Sequence, residues 1–314
     1  MAAKVTKVRV LESTGSWYKL LLAQGDIVQA RVPGKFRLTG KEETNPIAVG
    51  DWVDADAVED GTFQITYIHE RKNAVVRTAT HGKKGKHILC SNVDYACIVQ
   101  SVKQPEYRLG LIDRFLAATL VYEDAKPAII INKMDLANSI DFETIQIWRQ
   151  IYEKMDIPVL LLNATSQQSM EVLKKFIENQ TVSFTGPSGV GKTTLMNALD
   201  DTLAHKTGEI SEWSNKGKHT TTFARLVPIS SGGFIVDTPG IREFGIAEIE
   251  ANELDLLFPD FEQARENCKF YNCTHRHEPD CKVRDAVNDG QIAQSRYKSY
   301  LSMMEELETK KKNR

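Results

Sequence analysis

Hydrophobic positions change their period along the chain. Between residues 5 and 68 they alternate with polar ones in five short runs: Val5–Leu11, Trp17–Leu22, Ile27–Val32, Asp51–Ala57 and Phe63–Ile68. A period of two predicts half-buried strands, and Gly15, Gly25, Pro33-Gly34, Gly50 and Gly61 punctuate them as turn residues. Five short strands within residues 1–70 predict a small all-β barrel of the OB type. Such a barrel is either an oligonucleotide binder or a docking module. The loop Pro33-Gly34-Lys35-Phe36-Arg37 sets an aromatic ring between two cations, which suits stacking on a base beside a phosphate.

Past residue 71 the alternation gives way to continuous apolar runs, Ala96–Val102, Ala128–Ile131, Val159–Leu162 and Thr181–Thr185. Runs of this kind are expected of parallel strands covered on both faces. Leu109–Tyr122, Glu171–Asn179 and Lys192–Leu199 read as helices between or after them, and the alternation of the two types predicts an α/β unit. Phe223–Ile229 and Phe234–Val236 are two further strands, joined at Ser230-Ser231-Gly232-Gly233. After residue 245 the pattern turns helical at Glu253–Phe258 and Gln291–Glu308.

Chemistry collects at the ends of the apolar strands. Thr181–Thr185 runs into Gly186-Pro187-Ser188-Gly189-Val190-Gly191-Lys192-Thr193, which fits G-x-x-x-x-G-K-[ST] between a strand and a helix. Glycines there let successive N–H groups turn inward around phosphate, and the helix N-terminus adds positive potential. Lys192 is expected to reach the terminal phosphates and Thr193 to hold magnesium. Ala128–Ile131 ends in Asn132-Lys133-Met134-Asp135, an N-K-x-D sequence. A carboxylate at Asp135 can accept from both N1–H and the 2-amino group of guanine. Adenine offers neither donor, so guanine is the expected base. Asn132 is expected to brace the loops, and the stem of Lys133 to lie over the base. A backbone N–H within Asn163-Ala164-Thr165 could meet guanine O6.

The strand Phe234–Val236 ends in Asp237-Thr238-Pro239-Gly240, a D-x-x-G match. Asp237 is expected to reach magnesium through water, and the Gly240 N–H to contact the γ-phosphate. Lys216-Gly217-Lys218-His219-Thr220-Thr221-Thr222 fits a loop closing over that phosphate. Ile241 occupies the place where many GTPases carry a water-orienting Gln. His219 is the nearest candidate for that role, with an ordinary exposed loop histidine as the other reading. N-K-x-D comes before the phosphate loop in this chain, whereas most GTPases have the reverse order. The helix 171–179 then serves as the crossover that rejoins a circularly permuted sheet.

Charge and cysteine content add two points. The 314 residues carry a net charge of −2, so no nucleic-acid partner is announced globally, although residues 1–50 hold eight Lys/Arg against four acids. Of five cysteines, Cys268, Cys273 and Cys281 crowd around His275 in a C-x4-C-x-H-x5-C arrangement. Three thiolates and an imidazole suit tetrahedral zinc without an open position, hence a structural site in a reducing compartment. His277 competes with His275 for the fourth place. Lys269, Arg276, Lys282 and Arg284 surround the cluster and could touch phosphate. No apolar run approaches membrane-spanning length, and the start of the chain lacks a signal core, so a cytoplasmic protein is expected.

Taken together, barrel, N-K-M-D, G-P-S-G-V-G-K-T, K-H-T-T-T, D-T-P-G and the cysteine–histidine cluster resemble, across essentially the whole chain, the circularly permuted ribosome-biogenesis GTPases of the RsgA/YjeQ family. The resemblance implies a bacterial GTPase that binds the small (30S) ribosomal subunit and its 16S rRNA late in maturation. It also implies hydrolysis of GTP to GDP stimulated by the subunit. Asn132, Lys133, Met134 and Asp135, with Gly186 through Thr194, carry over as nucleotide-binding. Cys268, Cys273, His275 and Cys281 carry over as zinc ligands. His219 matches the family's switch-loop histidine, proposed there as catalytic. Asn163-Ala164-Thr165 departs from the Ser-Ala pair common among GTPases. The expected architecture is multidomain: an OB-like barrel (1–70), a circularly permuted α/β P-loop GTPase domain (71–245) and a helical zinc-binding domain (246–314), in a monomer. An RNA-binding assembly factor that keeps guanine nucleotide as a structural ligand is the other reading.

Overall fold

The computed structural model describes residues 4–33, 47–78, 86–122, 125–199, 224–230, 232–237 and 249–312. Strands β1 (Lys4–Ser13), β2 (Trp17–Leu21), β3 (Ile27–Arg31), β4 (Trp52–Ala57) and β5 (Phe63–Ile68) follow the alternating runs. They pair in the order β1-β2-β3-β5-β4, and β4 returns to β1 to close the barrel. Strand β1 serves two partners. Its register shifts between Val5 and Val8 against β4 and between Val10 and Glu12 against β2, and such irregularities bend a strand enough to join both sides. The inward side chains Val8, Val10, Tyr18, Leu20, Ala30, Val53, Ala55 and Ile65 form the barrel core with Ile47.

A hairpin of β6 (Ala74–Thr78) and β7 (Lys86–Ser91) follows and touches the barrel through an isolated bridge, Val49 to Cys90. Asp51 beside that bridge is fully buried. Its carboxylate accepts from Arg71 Nε and Nη2 at 2.7 and 2.8 Å, from Ser91 Oγ at 2.5 Å and from the Ala48 N–H at 2.8 Å.

The second unit is a parallel sheet of β8 (Tyr95–Ser101), β9 (Lys126–Asn132), β10 (Val159–Leu161), β11 (Thr181–Thr185) and β13 (Phe234–Asp237), with β12 (Arg225–Pro228) antiparallel beside β13. The spatial order is β10-β9-β8-β11-β13-β12. The chain therefore winds outward from β8 through β9 and β10, then crosses to β11 on the other side. Helices α1 (Leu109–Tyr122), α2 (Ser139–Glu153), α3 (Gln167–Ile177) and α4 (Lys192–Leu199) cover the faces. Alternate residues of β9 make the division visible. Ile129 and Ile131 pack with α1 and α2, whereas Ala128 and Ile130 pack with α3 and α4. Helix α3 links β10 to β11, as a permuted order requires, and starts a turn earlier than its apolar pattern suggests because the Ser166 side chain caps it.

Barrel and parallel sheet are continuous through one register pair, Glu12 with Arg225, between β1 and β12. Arg9 of β1 is buried between them. Its Nη2 donates to Asn92 O at 3.0 Å and Thr181 Oγ1 at 3.1 Å, and its guanidinium lies 4.7 Å from the Trp52 ring and 5.5 Å from that of Phe234. Burial lowers its pKa to about 10, against the pull of Asp94 and Asp51, so it remains a cation near neutrality.

The C-terminal unit begins with a 3-10 segment, Ala251–Leu257, and includes α5 (Lys282–Asn288) and α6 (Gln294–Lys312). Its core of Leu254, Phe258, Phe261, Val283, Tyr300, Met303 and Met304 also takes in Ala117 of α1. Arg296 of α6 is 1% exposed. Nη1 donates to Asp113 of α1 at 2.8 Å, while Nε and Nη2 donate to Asp260 at 3.1 and 2.7 Å. Tyr152 of α2 donates its hydroxyl to the same Asp113 at 2.8 Å. No helix among the described residues is long and apolar enough to cross a membrane.

Candidate functional site

The parallel strands all end at one edge of the sheet, and open α/β sheets bind ligands there, at the point where the winding reverses. Here that point lies between β8 and β11. The loop after β11 is Gly186 to Gly191, with φ of 147° at Gly186, 84° at Gly189 and 92° at Gly191. Two of these glycines also permit close packing. A Cβ on Gly186 would stand 2.1 Å from Val99 O, and one on Gly191 2.3 Å from Asn132 Nδ2. Val190 is fully buried and pins the loop, while Ser188, Gly189, Thr193 and Thr194 are exposed at its rim. Lys192 curls back, its Nζ donating to Gly186 O at 2.9 Å and Pro187 O at 2.8 Å. Those carbonyls hold the ammonium where phosphate oxygens can replace them.

The N-K-x-D segment stands against this loop. Asn132, 1% exposed, donates from Nδ2 to Val190 O at 3.0 Å, which is the brace expected of it. Lys133 adopts the left-handed conformation (φ 61°, ψ 37°) and starts a 3-10 turn, Met134–Leu136. Its Nζ donates to Gly189 O at 2.6 Å and to Gln104 O, so that the side chain joins the loops that follow β8 and β11. Met134 N–H donates to Leu162 O at 3.0 Å and ties the turn to β10. Asp135 is left exposed on that turn. The segment after β8, around Gln104 and Pro105, belongs to the same constellation. It escaped notice in the sequence because it carries no charged motif.

The Asn163-Ala164-Thr165 turn narrows the choice of N–H groups for guanine O6. Asn163 N–H donates to Ser169 Oγ at 3.1 Å, and Thr165 N–H to Asn163 Oδ1 at 2.9 Å. Ala164 N–H is the one of the three without a partner among the described residues. Asp237 closes β13 beside Phe184, one residue short of the end of β11. His219 with its loop, Thr238 to Ile241 including Gly240, and Gly34 to Arg37 of the barrel lie outside the described residues.

Gly191→Ala tests the contact of the two motifs. Strain at positive φ costs about 1–3 kcal/mol, and the new methyl displaces Asn132. Guanine-nucleotide affinity is expected to fall at least about tenfold in a fluorescence titration; a parent-like affinity would contradict the packing described.

The second cluster is the cysteine–histidine knuckle. The ligand atoms of Cys268, Cys273, His275 and Cys281 lie within 4.8 Å of one another. His275 Nδ1 is 3.7 Å from Cys268 Sγ and 3.5 Å from Cys281 Sγ. Zinc bonds of about 2.3 Å to sulfur and about 2.0 Å to nitrogen make tetrahedron edges of about 3.5–3.8 Å, so the donor set fits that ion. His277 is exposed and outside the group, whereas the buried His275 lies within it. Of the surrounding cations, Lys269 pairs with Asp280 at 2.9 Å, Arg276 with Glu308 and Lys282 with Asp285 at 2.8 Å. Internal carboxylates thus already engage three of the four cations considered for phosphate. Tyr297 and Tyr300 of α6 donate to His275 O and Thr274 O at 2.6 and 3.0 Å, fixing the knuckle to the helix.

Two family models match the chain: "RsgA GTPase" over residues 68–247 and "RsgA N-terminal domain" over residues 8–65. A protein of Flavobacterium psychrophilum described as small ribosomal subunit biogenesis GTPase RsgA is 42% identical, covering 94% of this chain and 91% of its own. Its namesake from Bacteroides fragilis is 40% identical, covering 95% and 96%. Among solved structures, YjeQ from Thermotoga maritima superposes with a TM-score of 0.78 at 31% identity, over 97% of this chain and 99% of that one. YloQ, described as a circularly permuted GTPase, gives 0.75 at 28% identity, over 99% and 96%. The chain belongs to the RsgA family of GTPases.

Proposed function

We propose that this GTPase binds the small (30S) ribosomal subunit through its 16S rRNA, assists its late maturation in the cytoplasm, and leaves it on hydrolysing GTP to GDP. The observation that carries the nucleotide part is the contact of the two motifs, Asn132 Nδ2 on Val190 O and Lys133 Nζ on Gly189 O, at the end of one parallel sheet. In this reading Asp135 chooses guanine, and the Ala164 N–H meets its O6. Gly186 to Thr194 cradle the phosphates, with Lys192 exchanging its two carbonyls for phosphate oxygens. Thr193 and Asp237 would hold magnesium, which neutralises phosphate charge when bound. The Gly240 N–H contacts the γ-phosphate, and His219 orients the attacking water in place of the Gln that Ile241 replaces. Cys268, Cys273, His275 and Cys281 hold one structural zinc ion. The functional units are residues 1–70, 71–245 and 246–314, in a monomer.

Relatives named for small ribosomal subunit biogenesis support the choice of partner. GTP turnover is expected to rise at least about tenfold when purified small subunits are added, and His219→Ala is expected to abolish the increase while leaving nucleotide binding intact. A rate indifferent to subunits would favour an RNA-binding factor that keeps the nucleotide as a structural ligand.

A further inference from the structure

The metal knuckle has a side that its four ligands leave open. The His275 ring is fully buried, and its two nitrogens face different neighbours. Nδ1 faces the sulfurs of Cys268 and Cys281. Nε2 faces Asp255 Oδ2 at 3.5 Å and has no hydrogen-bond partner within normal reach. Arg265 Nε stands 3.7 Å from the same carboxylate oxygen, and the Asp255 side chain is 15% exposed. An imidazole that ligates through Nδ1 must carry its proton on Nε2, and a buried N–H without an acceptor is costly. Asp255 Oδ2, at 3.5 Å, is the carboxylate oxygen that faces it.

Asp255 does not belong to the knuckle by sequence. It sits in the 3-10 segment Ala251–Leu257, twenty residues before His275 and fifteen after Gly240. The ring is restrained from other directions as well. Phe261 meets it edge-on at 6.2 Å between centroids, and Tyr297 Oη holds its backbone carbonyl. We propose that Asp255 is a positioning residue for the metal centre. It fixes the His275 tautomer with the lone pair on Nδ1, turns the ring toward the three sulfurs, and leaves Arg265 to balance its own charge. It also ties the 3-10 segment Ala251–Leu257 to the metal centre.

The proposal rests on the reading of Cys268, Cys273, His275 and Cys281 as a zinc site, and the experiment separates the two. Full-length parent, Asp255→Ala, Asp255→Asn and a surface control, Asp285→Asn, are loaded with zinc and titrated with a chromogenic chelator. Cobalt-loaded samples report the ligand set by their thiolate charge-transfer bands. Asp255→Ala is expected to hold zinc at least about tenfold more weakly, the usual effect of removing such a partner. Asp255→Asn, whose amide oxygen still accepts from Nε2–H, is expected to fall between Asp255→Ala and the parent. The control is expected to match the parent. A loss smaller than tenfold in Asp255→Ala overturns the role of Asp255. If Asp255→Ala is not recovered folded, Asp255→Asn decides, and parent-like affinity then overturns the role. A parent that takes up no zinc removes the underlying site instead.

Discussion

Asp135→Asn is expected to lower affinity for guanosine nucleotides by two to three orders of magnitude and to raise affinity for xanthosine nucleotides. The carboxylate sits exposed on the turn after Lys133, on a backbone held by the Met134–Leu162 hydrogen bond. Two hydrogen bonds from guanine to a charged acceptor contribute about 1.5–3 kcal/mol each. An asparagine keeps one acceptor but points an NH2 group at a neighbouring NH2. Xanthine replaces the 2-amino group with a carbonyl, so the same asparagine then pairs at both positions. Fluorescence titrations with guanosine, xanthosine and adenosine diphosphates check the result. Unchanged preference for guanosine in the variant would remove Asp135 from the base site.

The second large effect is mechanical. Arg296→Ala removes the buried cation that joins α6 to α1, leaving Asp113 without its charged partner in an environment of almost no solvent. Burial works against the Arg296 charge, but Asp113 and Asp260 outweigh it and hold the guanidinium firmly protonated. Truncating one partner of such a pair costs about 3–5 kcal/mol, and the 4.5 Å contact with the Phe258 ring is lost as well. Because the chain has several units, the loss is best read locally, as faster amide exchange or proteolysis across residues 251–312 and α1. Nucleotide affinity is expected to remain near that of the parent. Replacing both residues, Arg296→Met with Asp113→Leu, should be milder than Arg296→Ala alone, since no lone charge stays buried. Equal protection in parent and Arg296→Ala would show that the pair does not hold the units together.

Most of the barrel and the parallel sheet could be read from the chain because period-two and all-apolar runs are local signals. Helix α2 was not seen. Ile145, Trp148 and Tyr152 face the core, but Ile140 and Ile147 are 72% and 68% exposed, so the apolar residues do not mark one face. Its capping box, Asn138 with Asp141, was the available signal. The hairpin β6–β7 was missed as well, since its apolar residues stand side by side in both strands and an irregularity between Val75 and Val76 breaks the period of two. The N-K-x-D and glycine-loop motifs could be found because phosphate and guanine demand particular residues at particular spacing, and the structure brings the two motifs together. The knuckle was legible for its cysteines, whereas the choice between His275 and His277 depends on backbone direction. His275 takes φ 58° and turns inward, and nothing in the spacing says so. Arg9 and Arg296 left no trace in the sequence, for their partners are distant: Thr181 is 172 residues from Arg9 and Asp113 is 183 from Arg296.

The winding order has one more effect. Every parallel strand except β13 is followed in the chain by a further strand of the same sheet. The chain that leaves β13 at Asp237 enters no further strand of the sheet among the described residues. Where the described residues resume, at Ile249, the chain already lies in the core of the C-terminal unit, so the permuted order couples the last parallel strand to that unit instead of to another strand.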